Sequence, residues 1–285
     1  MDSVLRQTHR DIEIIIVDDG STDESHEVLS AYSNRVRTIR KPNAGQAAAI
    51  NAAFSDSHGE IICLLDADDL FVPEKVAEIV AGFAIGSEIC WIFYGLTYVE
   101  LVSGKIVYVD QPTQSQRCDF RQAARRGRLP YVHSSTSGLS FRRDFLEQLL
   151  PVPEELRTVA DNYLKFAAMA LSEGMLLHAA LGTLRVHESN AYTLRRDVSS
   201  LKARRKFVTA RKLRKRWPFF GSLANHIVAD GISDYWLGRG KAEKAVSECR
   251  QYLRPLPLQR TLIYAMAARI TAARLFRPQS DTRPG

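Results

Sequence analysis

The sequence has no stretch of eighteen consecutive apolar residues, so it predicts no helix that spans a membrane. Its beginning also has no basic segment followed by an apolar core, as a secretory signal would have. Cysteines are few and far apart, without the spacing of metal ligands, and they are Cys63, Cys90, Cys118 and Cys249. We expect them to be reduced, mostly buried thiols of a cytoplasmic protein.

Acidic residues are scarce in the last third of the chain. The 285 residues carry a net charge of +7, but residues 1–190 hold 18 Lys and Arg against 26 Asp and Glu, a net charge of −8. Residues 191–285 hold 21 against 6, a net charge of +15. We therefore expect a large acidic domain over 1–190 and a basic helical region over 191–285.

The first part of the chain alternates short apolar runs with helical patterns. Such alternation predicts βαβ units, hence the α/β class, with a Rossmann-like, mostly parallel sheet flanked by helices. The clearest expected elements are strands over Ile12–Val17, Glu60–Leu65 and Cys90–Leu101, and helices over Gly45–Phe54, Glu74–Phe83 and Val159–Ser172. Residues 111–136 give mixed signals, and we expect an irregular, substrate-facing segment there.

An acidic loop follows the second of these strands. Asp66 and Asp68 are two residues apart, and in an extended chain such residues point to the same face. Two carboxylates on one face are hard oxygen ligands of the kind that Mg²⁺ or Mn²⁺ prefers. The alternative is structural, because Asp68 and Asp69 could simply end the strand and form the turn before Pro73.

A second acidic pair, Asp18 and Asp19, follows the first strand. The run from Ser21 to Glu24 is a capping-box signature, so those residues are expected to begin a helix. Only one of the two aspartates could help that cap. The other could accept hydrogen bonds from a nucleobase N–H or from ribose hydroxyls.

Three segments in this order resemble the motifs of one known family. They are Val17-Asp18-Asp19-Gly20-Ser21, then Asn43-Ala44-Gly45 leading to Asn51, then Gly59-Glu60-Ile61-Ile62 leading to Asp66-Ala67-Asp68-Asp69. The chain is thereby similar to family 2 glycosyltransferases of the GT-A fold. The resemblance is strongest over residues 3–85 and continues to about 190. It implies an inverting transfer of a sugar from a nucleoside-diphosphate sugar to a sugar or lipid-linked acceptor, in polysaccharide or glycoconjugate synthesis.

The resemblance implies roles for the acidic pairs. Asp19, with Asp18 beside it, corresponds to the aspartate that contacts the nucleobase. Asp66 corresponds to the residue near the ribose and the donor sugar. Asp68 corresponds to the ligand of a divalent cation, Mn²⁺ or Mg²⁺, that bridges the diphosphate of the donor.

Three further residues take roles from the same resemblance. Asp161 corresponds to the catalytic base, although Ala160 stands where the family usually has a glutamate. Arg185 belongs to a basic segment that closes over the diphosphate, and His187 could join the metal. From the residues alone, Asp161 could equally be a first-turn helix acid, and His187 an ordinary surface histidine at a strand end.

The chain starts at Met1 inside a predicted helix, where family members first have an apolar strand and a Pro-Thr-Tyr-Asn-like loop. We therefore expect the first domain to be truncated at its N-terminus, either by a misplaced start or in the protein itself. A non-catalytic relic of such an enzyme is the alternative function.

The basic tail begins at Arg195 and Arg196 and continues through residues 202–216. One stripe of this predicted helix is apolar, at Ala203, Phe207, Ala210, Leu213 and Trp217. Such a helix could lie peripherally on the anionic inner face of a membrane, or dock on the acidic body. An adaptor that binds nucleic acid is a third alternative, which no recognised motif supports.

Overall fold

The computed structural model describes residues 1–132, 134–158, 160–187, 198–238 and 243–276. Three residues singled out above, Val159, Arg195 and Arg196, lie outside these ranges. The chain forms two compact units. The first consists of residues 1–121 and 131–186, and the second of residues 122–130 and the described residues after 186.

The first unit contains all the strands of the described structure. They are β1 (Ile15–Asp18), β2 (Arg37–Arg40), β3 (Ile61–Cys63), β4 (Leu70–Phe71), β5 (Trp91–Glu100), β6 (Ile106–Asp110), β7 (Gln116–Asp119), β8 (Leu139–Arg142) and β9 (Glu173–Val186). The helices up to β9 are α1 (Asp2–Leu5), α2 (Ser25–Ser30), α3 (Gln46–Asp56), α4 (Lys75–Ala84), α5 (Arg121–Arg125), α6 (Arg143–Leu149) and α7 (Ala160–Leu171), with a 3₁₀ turn at Thr136–Gly138.

The strands form two sheets. β1 and β2 are a parallel pair, and the larger sheet has the order β3-β8-β5-β9-β4, with β6 paired to β5 and β7 paired to β9. The expected α/β class with a central sheet and flanking helices is confirmed. The expectation of mostly parallel strands needs correction, because β5–β9 is the parallel pair of the larger sheet and its other described pairings are antiparallel. The short turn between β5 and β6 can join only antiparallel strands, and the other antiparallel pairs bring together segments that lie far apart in the chain.

The core of the first unit is built on β5. This strand lies between β8 and β9, and its first half is buried on both faces at Trp91, Ile92, Phe93, Tyr94 and Leu96. A run of large apolar and aromatic side chains with no polar alternation is typical of a strand covered on both sides. The strand therefore provides the rigid base on which the neighbouring loops are held.

The second unit is a bundle of helices. They are α8 (Val198–Arg216), α9 (Gly221–Leu237), α10 (Glu243–Leu253) and α11 (Pro257–Leu275), with a 3₁₀ turn at Pro218–Phe220. The predicted apolar stripe of α8 packs against α9 and α10, so that Phe207 and Leu213 are buried. That stripe is consequently part of the bundle's own core and is not a free face. Within the described residues, no helix is long and apolar enough to cross a membrane.

Gly95 gives a test of how β5 is packed. A Cβ at this position would lie 1.9 Å from the carbonyl oxygen of Asp110 and 2.5 Å from the Gln111 side chain. The register with β9 also shifts on both sides of Gly95. We expect Gly95→Ala to lower the free energy of unfolding by roughly 3 kcal/mol or more, because backbone atoms have to move.

The control for this substitution is Gly104→Ala in the turn between β5 and β6. Gly104 has a φ of +68° but nothing within 4 Å of its Cβ position, so alanine meets only backbone strain. We expect a loss of about 1 kcal/mol. Urea denaturation measures both values, and equal losses would contradict the packing described for Gly95.

Candidate active site

The acidic loop after β3 is held by a serine on the 3₁₀ turn before β8. The backbone N–H of Asp66 donates to Ser137 Oγ at 3.0 Å, and the same hydroxyl donates to Asp69 Oδ2 at 2.6 Å. The N–H of Asp69 also donates to the carbonyl of Asp66 at 3.1 Å. Ser137 is fully buried, so this loop has one well-defined conformation.

Gln46, the first residue of α3, connects the acidic loop to α7. Its Nε2 donates to Asp66 Oδ1 at 2.9 Å and to Thr136 Oγ1 at 2.8 Å. Its Oε1 accepts the backbone N–H of Ala160 at 3.1 Å, one residue before Asp161. A single amide therefore holds the acidic loop, the 3₁₀ turn and the start of α7 together.

Two carboxylates of this loop have strongly raised pKa values. Burial and the neighbouring Asp69 raise the pKa of Asp66 to about 7, with Asp161 and Asp68 adding to the shift. Burial raises the pKa of Asp69 to about 6, against the hydrogen bond from Ser137. Arg185 compensates Asp69 in part, but both pKa values stay raised, which is the electrostatic setting in which a bound cation is favourable.

The first acidic pair is engaged with backbone groups. Asp18 is buried, and its Oδ1 accepts the N–H of Ser21 at 2.8 Å, which lowers the pKa of Asp18. α2 begins only at Ser25, so the capping box expected from Ser21 is not formed. The Asp18 carboxylate takes the Ser21 N–H instead, and the chain turns before the helix begins.

Asp19 joins the end of β1 to the start of α3. Its carboxylate accepts the N–H groups of Ala44 at 3.0 Å and Gly45 at 2.6 Å, and Lys41 Nζ lies 2.6 Å away. Partial burial raises the pKa of Asp19, but the Lys41 and backbone hydrogen bonds outweigh it, and the pKa lies below its ordinary value. Asp19 is therefore an ionised acceptor near Gln46, on the same side of α3 as Asp66.

Asp161 lies in the first turn of α7. Its Oδ2 is 3.5 Å from Lys165 Nζ, and this ammonium donates to the carbonyl of Ser134 at 2.5 Å. Asp161 is also near enough to raise the pKa of Asp66. The structure thus brings Asp161 near Asp66 and the acidic loop.

The end of β9 contacts the acidic loop through Arg185. Its backbone N–H donates to Asp69 Oδ1 at 3.3 Å, and its Nε donates to the carbonyl of Asp68. The guanidinium thus holds the loop backbone. His187 follows β9 and begins the second unit, so it is not among the residues that the structure brings together in the first.

A divalent cation fits the chemistry of the acidic loop but is not enclosed by protein ligands. Among the described residues, no group of three or more histidines, cysteines and acids is placed to hold a metal ion. The loop does offer carboxylate oxygens, which are the hard ligands that Mg²⁺ and Mn²⁺ prefer. A cation there would need further ligands from a bound phosphate or from water.

Three residues with a role in this arrangement were not identified from the sequence. Gln46, Ser137 and Lys165 form hydrogen bonds across separations of 20 to 114 residues in the chain, and their local patterns are those of ordinary helix and turn residues. The only available signal was the presence of Gln46 directly after the Gly45 of a recognised motif.

A sheet with carboxylates at the ends of its strands, and a further acid on the next helix, defines a GT-A-type α/β protein. The family model described as glycosyl transferase family 2 matches residues 1–150. The chain belongs to glycosyl transferase family 2.

Two curated relatives illustrate the similarity. An uncharacterised glycosyltransferase of Nostoc sp. is 33% identical over 198 residues, which are 67% of this chain and 60% of that protein. The glycosyltransferase GlyG of Streptococcus pneumoniae is 41% identical over 97 residues, 29% of this chain and 32% of that protein. The chain thus spans less than two thirds of the length of these relatives.

Solved structures are similar in fold. TarS 1-349 of S. aureus in complex with UDP has a TM-score of 0.62 at 15% identity, covering 100% of this chain and 89% of that one. The same protein in complex with UDP-GlcNAc has a TM-score of 0.63 at 16% identity, covering 95% and 83%. At such identities the likeness concerns the fold alone.

The raised pKa values predict an unusual pH dependence of stability. Asp66 and Asp69 titrate near pH 7 and pH 6 when folded, well above the ordinary value of 3.8. The folded state then binds more protons than the unfolded state between about pH 4 and pH 7, so its free energy of unfolding falls as the pH rises. We expect Asp66→Asn to add roughly 2 kcal/mol at pH 8 without metal, and this gain to shrink toward pH 4.

Thermal melts with a chelator across this pH range measure the effect. Asp119→Asn is the control of opposite sign, because Arg121 holds the pKa of Asp119 at about 2 and the substitution should reduce stability at pH 8. A loss of stability in Asp66→Asn at pH 8 would contradict the described crowding of carboxylates.

Because the side-chain amide of Gln46 has three hydrogen-bond partners, its removal is predicted to lower stability. Gln46→Ala leaves Asp66, Thr136 and the N–H of Ala160 without this partner. We expect the free energy of unfolding to fall by about 1–3 kcal/mol. Gln251→Ala, at an exposed position of α10, is the control and should change it by less than about 0.5 kcal/mol. Urea denaturation of both variants measures these changes. Equal losses of stability would contradict the proposed role of Gln46 in holding the three segments together.

Proposed function

We propose that the chain is the donor-binding and catalytic part of an inverting glycosyltransferase. It would transfer a sugar from a nucleoside-diphosphate sugar to an acceptor hydroxyl, in the synthesis of a polysaccharide or glycoconjugate. The observation that carries the proposal is the convergence of Asp161 and the acidic loop through Gln46. A base and a donor site that share one rigid support can act on the same anomeric carbon.

Asp161 is proposed as the general base. Its carboxylate would accept the proton of the acceptor hydroxyl while that oxygen attacks the anomeric carbon from the side opposite the diphosphate. One displacement of this kind inverts the configuration and needs no covalent intermediate with the protein. Lys165, at 3.5 Å, would hold the carboxylate in place.

The remaining acids and Arg185 are proposed to bind the donor. Asp18 supports the turn after β1, and Asp19 retains acceptor capacity for a nucleobase or ribose group. Asp66 would accept hydrogen bonds from the ribose or the donor sugar. Arg185, which already contacts the loop backbone, would lie close to the diphosphate.

Asp68 is proposed as the carboxylate ligand of a divalent cation, Mn²⁺ or Mg²⁺. A bound cation supplies positive charge beside the diphosphate as the negative charge of the leaving group develops. A uridine nucleotide is the first donor class to test, since TarS, which shares the fold, was solved with UDP and with UDP-GlcNAc.

The experiment has a binding part and a turnover part. Melting temperatures are measured with UDP, GDP and dTDP, each with and without Mn²⁺. A ligand that binds only the folded state at a hundredfold excess over Kd adds about 2.7 kcal/mol of stability. We expect one nucleotide to raise the melting temperature only together with the metal, and Asp68→Ala to abolish that rise.

Release of the nucleotide from the matching sugar donor then tests the base. We expect Asp161→Asn to lower turnover by about 10²–10⁴-fold while the melting shift with nucleotide remains. Asp144→Asn is the control, because Asp144 is likewise an acid in the first turn of a helix, α6. Near-normal turnover in Asp161→Asn would remove the base assignment. A folded protein with no shift for any nucleotide would favour the non-catalytic relic.

A further inference from the structure

The last described helix, α11, exposes large apolar side chains near its start and at its end. Leu258 is 95% exposed and Leu262 59% near its start, and Leu275 is 66% and Phe276 85% exposed at its end. Nineteen residues of helix extend over about 28 Å. Apolar groups distributed over such a length, rather than scattered singly, mark an interaction surface.

The exposure of this face does not come from a helix detached from its unit. The opposite face of α11 packs on α9, with Ile263 and Ala267 fully buried. Thr271 Oγ1 donates to Ser233 Oγ at 2.9 Å, and Arg274 forms ion pairs with Asp230 and Asp234 of α9. The helix is thus fixed on one side, and its other side exposes leucine, alanine and phenylalanine together with Arg269.

The outward face follows the helical repeat. Leu258, Ala265, Ala272 and Phe276 are separated by seven, seven and four residues, a spacing that places them on one side of a helix. We name this row, with Leu262 beside it and Arg269 within it, the outer face of α11. The buried Ile263 and Ala267 lie on the other side.

The charges around the outer face are of one sign. α11 contains Arg260, Arg269 and Arg274 and has neither aspartate nor glutamate. Residues 191–285 as a whole carry a net charge of +15. The rings of Trp236 and Tyr264, both partly exposed, stack at 6.4 Å beside the helix. Such rings have an apolar body and a polar tip, which suits the boundary between lipid and water.

We propose that the outer face of α11 lies on an anionic lipid bilayer, parallel to its surface. Leucine and phenylalanine side chains would enter the boundary between headgroups and acyl chains, while Arg269, which lies within the row, extends its guanidinium to anionic headgroups. We assign the surface to an anionic bilayer because the negative charge of the lipid headgroups complements the positive charge of this unit. A second copy of the chain would bring two strongly basic units together with no acid on α11 to compensate them, so that contact is disfavoured.

This assignment differs from the expectation that α8 is the membrane helix. The apolar stripe of α8 is buried at Ala203, Phe207, Ala210 and Leu213, so it has no apolar surface to offer. α11 supplies the apolar face, and the basic residues of the bundle supply the positive electrostatic potential that attracts anionic lipids. The inference is independent of the proposed function, whose donor site and base lie in the first unit.

The test is the binding of the full chain to vesicles of phosphatidylcholine, with and without phosphatidylglycerol, measured by sedimentation. We expect binding only to the anionic vesicles, and a fall in the partition coefficient of about tenfold or more for Leu258→Ser combined with Phe276→Ser. Arg269→Gln should weaken binding by about fivefold. Both substituted apolar residues are exposed, so circular dichroism should show an unchanged fold.

The matched control combines Leu101→Ser with Val102→Ser, two exposed apolar residues of the β5–β6 turn in the first unit. It should bind as the unsubstituted chain does. Absence of binding to anionic vesicles would overturn the proposal. Binding that falls with salt but is unaffected by Leu258→Ser with Phe276→Ser would assign attachment to charge alone and overturn the role of α11. A dimer in solution that the same two substitutions dissociate would assign the outer face to a second copy.

Discussion

The crowding of carboxylates after β3 is the constraint on which the arrangement of the first unit depends. Asp66, Asp68 and Asp69 occupy four consecutive positions, and Asp161 is added from α7. Like charges at this density would force the loop open unless other groups held it. Ser137 and Gln46 do so with neutral hydrogen bonds, and Arg185 does so through the backbone of the loop. These contacts restrain the loop, and the pKa values of Asp66 and Asp69 stay raised in their presence.

Retaining that charge lowers the stability of the folded state, and this loss bears on the function of the loop. The raised pKa values of Asp66 and Asp69 mean that the ionised loop destabilises the folded state near neutral pH. A purely structural turn could be built with fewer acids. Residues that break a local rule for stability without a local compensation are expected mainly at functional sites. The loop is thus better understood as a preorganised binding surface than as a strand terminus.

The parts of this fold that could be predicted from sequence are those with strong local signals. The apolar runs before Asp18 and Asp66 marked β1 and β3, and the helical periods marked α3, α4 and α7 to within one or two residues. β4 has two residues and β7 has four, too few for an apolar period to be recognised. The antiparallel pairing of β8 between β3 and β5 also has no local signature, because direction depends on how distant segments meet. Because the sequence carries no signal of this pairing, the expectation of a mostly parallel sheet was wrong.

The candidate site likewise contains residues that the sequence reveals and residues whose role only the structure reveals. Acid pairs at strand ends are visible in the sequence, since both their composition and their position are local. The amide of Gln46 is not, because its importance arises from three partners that lie at Asp66, Thr136 and Ala160. A glutamine can satisfy these partners because its amide has both donors and an acceptor, whereas a glutamate would add a fifth carboxylate to the cluster. Chemical neutrality at position 46 is therefore a requirement of the acidic loop, which only the assembled structure makes evident.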